Sequence, residues 1–188
     1  MAMLTEKHLL EKGFLSVGKN VLVSDRATFY GVSRISIGDN VRIDDFCVIS
    51  AGTGGITIGN HVHIACFCSL IGAARITLSD FSGLSSRVSI YSSSDDYSGN
   101  ALTNPTVPTQ YTNVQLGDVL LGKHVIVGSG SVILPGCTLD DGAAVGALSL
   151  VNKDLAAFGI YSGHPARRIG ERNRRLLDLE ADLHRSTA

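Results

Sequence analysis

The sequence predicts an all-β protein, a parallel β-helix wound from six-residue units. Two observations carry this expectation. Residues 121–151 divide into consecutive sixes that open on Leu121, Val127, Ile133, Leu139 and Val145, and each has a small fifth residue: Val125, Ser131, Cys137, Ala143 and Ser149. The composition agrees: 21 of 188 residues are Gly, well above the usual ~7%, while aromatics are 6% and Trp is absent. A fixed self-similar period is read before local propensity, because it names the architecture. Six residues make one short strand and one corner of a three-sided coil. The large aliphatic points to the axis, the small fifth residue fits where the coil narrows, and Gly gives the corner its backbone angles. Successive coils then stack as parallel strands, each burying the face of its neighbour.

Taken in order, residues 5–12 read as a short helix. Thr5 caps it, Leu9 and Leu10 give it an apolar side, and Gly13 ends it. Its role is to cover the open first rung, since an exposed strand edge invites aggregation, with Phe14 and Leu15 as anchors. Repeats begin at Val17, slip near Tyr30 and Gly31, and resume at Ile37 and Ile43. An insertion at residues 51–55 precedes units at Ile58 and Ile64, and a slip at residues 72–75 precedes units at Leu78, Leu84 and Ile90. At three units per coil this makes about six or seven coils.

The period stops over residues 92–114. Asp95, Asp96, Gly99, Asn104, Pro105 and Pro108 mark a long loop there. A loop of this length in a compact domain is functional or disordered, and Tyr91, Tyr97, Leu102, Val107 and Tyr111 argue for order. After the last repeat, residues 166–184 read as a polar helix. Arg167, Arg168, Arg172, Arg174 and Arg175 crowd its first half, and Ile169, Leu176, Leu179 and Leu183 form a partial apolar stripe. Such a helix caps the last coil, with its early arginines available to phosphate. The chain reads as a single domain, 1–188, divided into a helical cap (1–16), the β-helix (17–160) and a C-terminal helix and tail (161–188).

A formal net charge of −1 gives no reason to expect nucleic acid or an anionic membrane as partner. No apolar run approaches transmembrane length and no signal-peptide core is visible, so the cytoplasm is the default. Cys47, Cys68 and Cys137 occupy small fifth positions, which suits buried packing. Cys66 and Cys68 are too close for a zinc pair and no second pair exists, so no metal is expected.

With Val151-Asn152-Lys153-Asp154 and Ser162-Gly163-His164-Pro165-Ala166-Arg167 closing the run, the repeats resemble the hexapeptide-repeat acyltransferases, which are left-handed parallel β-helices. The hand is implied by the resemblance alone, since crossover rules favour a right-handed coil. The resemblance further implies acyl transfer from acetyl-CoA and a homotrimer. The pantetheine arm would lie in a groove between adjacent subunits, and the loop would close the site against a neighbour. By position, Ser129, Gly130 and Ala147 would line that groove, and Lys153 and Arg167 would sit near the nucleotide end. The plainer reading is repeat packing for the first three and simple exposure for Lys153.

The acceptor side departs from the sugar O-acetyltransferases, which carry a catalytic His-Pro at the start of the loop. Asp95-Asp96 stands there instead, and the loop holds no histidine. A hydroxyl is a poor nucleophile until a base takes its proton, and an unperturbed Asp, pKa ≈ 3.9, is a weak base at neutral pH. A neutral amine attacks a thioester unaided, and a carboxylate can orient it or relay its proton. This substitution, with Asn40-Val41-Arg42-Ile43-Asp44-Asp45-Phe46 and Thr103-Asn104-Pro105, is similar to the branch that N-acetylates nucleotide-linked amino sugars, such as dTDP-4-amino-4,6-dideoxyglucose, for O-antigen and other surface polysaccharide. Asp95 is the first candidate for the catalytic carboxylate, Asp96 the second, and His63 is in reserve; both aspartates could instead only shape the turn. His61 and His124 are further bases. Together the histidines raise a carbonic-anhydrase-like zinc β-helix, which ranks low beside the CoA-type closing segment. A purely structural β-helix would leave the loop unexplained.

Overall fold

In the computed structural model, which describes residues 2–187, the chain winds into a coil with three faces. Face I stacks Ser16–Val17, Ile35–Ile37, Ile56–Ile58, Ile76–Leu78, Val119–Leu121 and Thr138–Leu139. Face II stacks Leu22–Ser24, Arg42–Ile43, His63–Ile64, Gly83–Leu84, Ile126–Val127, Ala144–Val145 and Gly159–Gly163 in parallel. Face III stacks Thr28–Tyr30, Val48–Ala51, Ser69–Gly72, Ser89–Tyr91, Val132–Ile133 and Leu150–Val151. The register superposes the first residue of each six. Ile37, Ile58, Leu78, Leu121 and Leu139 form one buried column, and Val23, Ile43, Ile64, Leu84, Val127 and Val145 another. Ile49, Leu70, Ile90, Ile133 and Val151 complete the core from face III. The cysteines at fifth positions are buried and unpaired, and burial pushes the Cys137 thiol up to about 11.

The repeat glycines divide between two tasks: Gly130, Gly136 and Gly142 take the expected left-handed corner angles, with φ of 72°, 82° and 73°, and others serve a different purpose. Gly18, Gly38, Gly59 and Gly122 do not take left-handed angles; a β-carbon on them would lie 2.3–2.7 Å from atoms of the next coil. They permit close stacking rather than the bend. The bend falls two residues later, on Asn20, Asn40, His61, Phe81 and His124, with φ between 55° and 59°. A side chain in that region costs about 1–2 kcal/mol. Stacking offsets part of it: His61 and Phe81 lie 4.7 Å apart by ring centroid, and Phe81 and His124 5.0 Å. The next corner repeats the device with Phe46 and Phe67, 5.0 Å apart, flanked by the guanidinium groups of Arg26 and Arg87.

Both ends of the coil are covered. The first helix, α1 (Glu6–Glu11), starts in a capping box in which the Thr5 hydroxyl accepts the His8 N–H and the His8 ring accepts the Thr5 N–H. Leu9 and Phe14 are buried, Phe14 against Phe29, whereas Leu15 is 66% exposed and anchors nothing. Met3–Leu4 pairs antiparallel with Leu22–Ser24 and closes that edge of face II.

At the far end the expected helix begins later. Ala166–Glu171 is a strand that folds back antiparallel on Gly159–Gly163, because the last rung offers unpaired backbone groups that a return strand satisfies. Gly159–Gly163 also runs across the boundary drawn at 160. The helix proper, α2 (Arg175–Thr187), is tied back to the coil through Glu180, which accepts from His124 Nε2 at 2.7 Å and Lys123 Nζ at 3.2 Å, with His184 Nε2 at 3.5 Å. Leu176, Leu179 and Leu183 border the same cleft as Phe81 and His124.

The His124 bond, then Lys123, holds the Glu180 carboxyl at about 2, below its usual 4.5. A depressed carboxylate contributes stability above its unfolded pKa and loses it as pH falls through the folded value. We therefore expect Glu180→Gln to lower the melting temperature at pH 6. Between pH 4.5 and 2 the variant should lose less stability than the native chain, measured by thermal denaturation across that window.

Candidate active site

The outward side chains of face II form a column in register: Leu22, Arg42, His63, Gly83, Ile126 and Ala144. Gly83 interrupts it, with nothing within 4 Å of where its β-carbon would be. The gap leaves a cleft of about 310 Å³ lined by His63, Ala65, Ser85, Ser86, Ile126 and Ser129 among others. That size lies at the lower end of small-molecule sites.

His63 is held at this cleft from below. Its Nε2 lies 2.9 Å from Asp44 Oδ2, and Arg42 Nε donates to Asp44 Oδ1 at 2.7 Å. Asp44 is largely covered. Burial alone would raise its carboxyl, but the hydrogen bonds from His63 and Arg42 outweigh it and hold the group below the usual carboxylate range.

The corner between faces II and III carries the donor candidates. Ser86, Ser129 and Ala147 fall one above another, linked by Gly130 N–H to Ser86 O at 3.0 Å and Leu148 N–H to Ser129 O at 2.8 Å. Ser129 and Ala147 are exposed, and Gly130 is in the left-handed region beside the Leu148 side chain. Lys153 is exposed at the next corner, between faces III and I, and Arg167 is exposed on the return strand. The structure thus groups Ser129, Gly130 and Ala147; Lys153 stands at another corner, and Arg167 pairs with Ser162, which packs against Gly146 beside Ala147.

The loop leaves from the corner between faces III and I. Its base is a short antiparallel ladder, Ser93–Ser94 with Gln115–Leu116, so the excursion is a projecting hairpin. Its large side chains point outward: Tyr97, Leu102, Tyr111 and Leu116 are all exposed. Asp95 borders a cleft of about 240 Å³ with Tyr91, Ser94, Tyr97, Leu134 and Pro135, and Oδ2 accepts the Asn104 N–H at a long 3.4 Å. Asp96 is committed to the turn: Oδ1 accepts the Ser98 N–H at 2.7 Å, and bonds from Ser98 hold its carboxyl below the usual range. Its other oxygen is covered and has no partner among the described residues.

Asp95 and His63 are not neighbours in one chain. The clefts they border share no residue and lie on different corners of the coil. His61 and His63 do not act together either. His61 stands at a corner, stacked on Phe81 with Asn40 Nδ2 at 3.4 Å from its Nε2, while His63 stands on a strand. His124 is engaged by Glu180, and among the described residues no three His, Cys, Asp or Glu side chains gather as a metal set. No helix is long and apolar enough to cross a membrane.

Sequence reasoning missed Ser85, Ser86 and the support from Arg42 and Asp44. The available signal was the coil period. Arg42 and His63 are 21 residues apart and directly paired, and Asp44 and His63 are 19 apart.

No family model matches the chain. It is 56% identical over 181 residues, 96% of its length and 94% of the relative's, to dTDP-4-amino-4,6-dideoxy-D-glucose acyltransferase of Escherichia coli. Among solved structures it superposes with TM-score 0.94 and 45% identity, over 99% of this chain and 100% of the other, on an aspartate variant of AntD, an N-acyltransferase from Bacillus cereus, in complex with dTDP and coenzyme A. AntD has also been solved with dTDP and 3-hydroxybutyryl-CoA, at 46% identity and TM-score 0.94, over 98% of this chain and 97% of that one. A maltose O-acetyltransferase of Clostridium difficile shares the fold at 23% identity and TM-score 0.60, over 90% of this chain and 75% of that one. At this identity and coverage the chain belongs to the dTDP-4-amino-4,6-dideoxy-D-glucose acyltransferase family of hexapeptide-repeat enzymes, left-handed parallel β-helices that use an acyl-CoA co-substrate.

Proposed function

We propose that this enzyme transfers an acetyl group from acetyl-CoA to the amine of a nucleotide-linked amino sugar, dTDP-4-amino-4,6-dideoxyglucose or a close analogue, for O-antigen or other surface polysaccharide. The observation that carries this reading is the head of the projecting loop. The O-acetyltransferases place a catalytic His-Pro there, and this chain has Asp95 on a cleft and no histidine. A carboxylate attracts an ammonium group and holds the amine with its lone pair toward the thioester carbon. Positioning of this kind supplies much of a rate enhancement without a strong base.

The amine nitrogen attacks the thioester carbon, the tetrahedral intermediate expels the CoA thiolate, and the nitrogen proton ends on sulfur or solvent. Asp95 is the orienting carboxylate, with Asp96 supporting it by fixing the turn. Ser129, Gly130 and Ala147 line the pantetheine path, and Lys153 and Arg167 face the CoA phosphates. Both substrates are cytoplasmic metabolites, so the cytoplasm is the site of action. A coupled acetyl-CoA assay over nucleotide amino sugars and plain sugars tests the reading. We expect turnover with the amino sugars, and a preference for hydroxyl acceptors would defeat it.

We also infer a homotrimer with three shared sites. Asp95 and the His63–Ser129 cleft belong to different corners of one chain, which suits a site completed by a neighbour. The exposed Tyr97, Leu102, Tyr111 and Leu116 of the loop, and Phe46, Phe67 and Leu148 beside the cleft, give that neighbour apolar surface to bury. Light scattering should return three times the chain mass of 19.8 kDa, and a monomer at working concentration would count against sharing.

A further inference from the structure

We propose that His63 is the proton acceptor of the transfer reaction and that Asp44, braced by Arg42, is the positioning residue that gives it the right tautomer. This rests on the acyl-transfer reading above but assigns a part of the machinery that the loop aspartates do not supply. An ammonium group cannot attack a thioester until it has lost a proton, and charge alone, as from Asp95, stabilises the protonated form. Some group at the reacting centre must therefore take that proton.

His63 is placed for it. It lines the Gly83 cleft together with Ser86 and Ser129, which belong to the neighbouring corner column that carries the donor candidates. A carboxylate only accepts, and Arg42 Nε already donates to Asp44 Oδ1 at 2.7 Å. The 2.9 Å contact between Asp44 Oδ2 and His63 Nε2 therefore requires the proton on Nε2. The lone pair is then on Nδ1, which has no hydrogen-bond partner among the described residues, on a side chain that is 53% exposed at the cleft. Arg42 and His63 are paired strand neighbours, so the brace is built into the sheet register.

The step balances. R–NH3+ gives one proton to Nδ1, leaving R–NH2 and an imidazolium that faces the Asp44 carboxylate. The amine forms the C–N bond, the C–S bond breaks, the nitrogen proton leaves with the thiolate as CoA–SH, and the imidazolium returns its proton to solvent. A carboxylate that fixes a histidine tautomer in this way acts through the ring and never touches substrate.

Two measurements test the proposal. The first needs no substrate: nitrogen NMR on histidine-labelled protein, with His63 assigned by loss of its signals in His63→Gln. The Nε2–H tautomer alone is expected for the native chain, and a mixture of both tautomers for Asp44→Asn, whose carboxamide can present either an acceptor oxygen or a donor nitrogen. The Nδ1–H tautomer in the native chain would overturn the assignment.

The second is a kinetic cycle. His63→Gln should lower kcat roughly 10²-fold and Asp44→Asn roughly tenfold, with KM for acetyl-CoA unchanged in both. The double variant should be no slower than His63→Gln alone. Losses that multiply in the double variant would show Asp44 acting independently of the ring. If the native enzyme proves to acylate hydroxyls and not amines, the N-acyl reading falls. The same cycle run on the hydroxyl substrate then still decides the role of His63.

Discussion

Asp95→Asn should lower turnover with a nucleotide amino sugar roughly 10²-fold, the scale on which a hydrogen-bonded charge pair loses one partner. The melting temperature should stay within a degree or two of the native value. The substitution is nearly isosteric, and the side chain's recorded bond is a long one, 3.4 Å, to the Asn104 N–H, which a carboxamide oxygen can still accept. What disappears is the charge. Asp96→Asn should behave differently, since Asp96 Oδ1 holds the Ser98 N–H at 2.7 Å and its work is in the turn. Steady-state kinetics on both variants, paired with thermal denaturation, separate the roles. Full turnover in Asp95→Asn would remove the carboxylate from the mechanism.

Ile64→Ala should destabilise the fold by about 2–5 kcal/mol, the range for truncating a large buried aliphatic. Ile64 is fully buried in the middle of the face II column, with Ile43 on one side and Leu84 on the other in register. A stacked coil has no loosely packed neighbour to collapse into the space, because each rung contacts the rungs above and below through the same narrow interior. Leu15→Ala, at a residue 66% exposed, should be nearly neutral. Chemical denaturation of both variants, with the native chain alongside, checks the contrast. Equal effects would mean that the register of the column is wrong.

The parts of the structure that were legible in the sequence are those governed by period. Ile43, Ile64, Leu84 and Ile133 recur at the first position of their sixes, and burial of a repeating aliphatic follows directly from a repeating backbone. Corners were harder. The left-handed positions are filled by Asn20, Asn40, His61, Phe81 and His124 as well as by Gly130, Gly136 and Gly142, so residue type does not mark them, while Gly18, Gly38, Gly59 and Gly122 answer to contacts about twenty residues away. The C-terminal arginines read as a helix because composition favours one. Pairing with Gly159–Gly163 overrode that preference for Ala166–Glu171, as tertiary context does when an open rung has backbone groups to satisfy.

The site divided along the same line. Asp95 stood out because it occupies the point where the period stops. Arg42 and Asp44 did not, because their meaning comes from His63 one coil further on. Ser85 and Ser86 were hidden for a related reason: the cleft they line exists because Gly83 lacks a side chain, and an absence in one rung is invisible until the rungs are stacked.

The measurement that bears most directly on the central claim is the chemistry of the product. The purified enzyme is incubated with acetyl-CoA and dTDP-4-amino-4,6-dideoxyglucose, and the product is followed by mass spectrometry before and after mild alkali. An N-acetyl sugar nucleotide is expected: one acetyl gained, free CoA–SH released in equal amount, and the acetyl retained in alkali because an amide resists it. A product that loses its acetyl in alkali, or no product from the amino sugar while a plain hydroxyl sugar is acetylated, would contradict it.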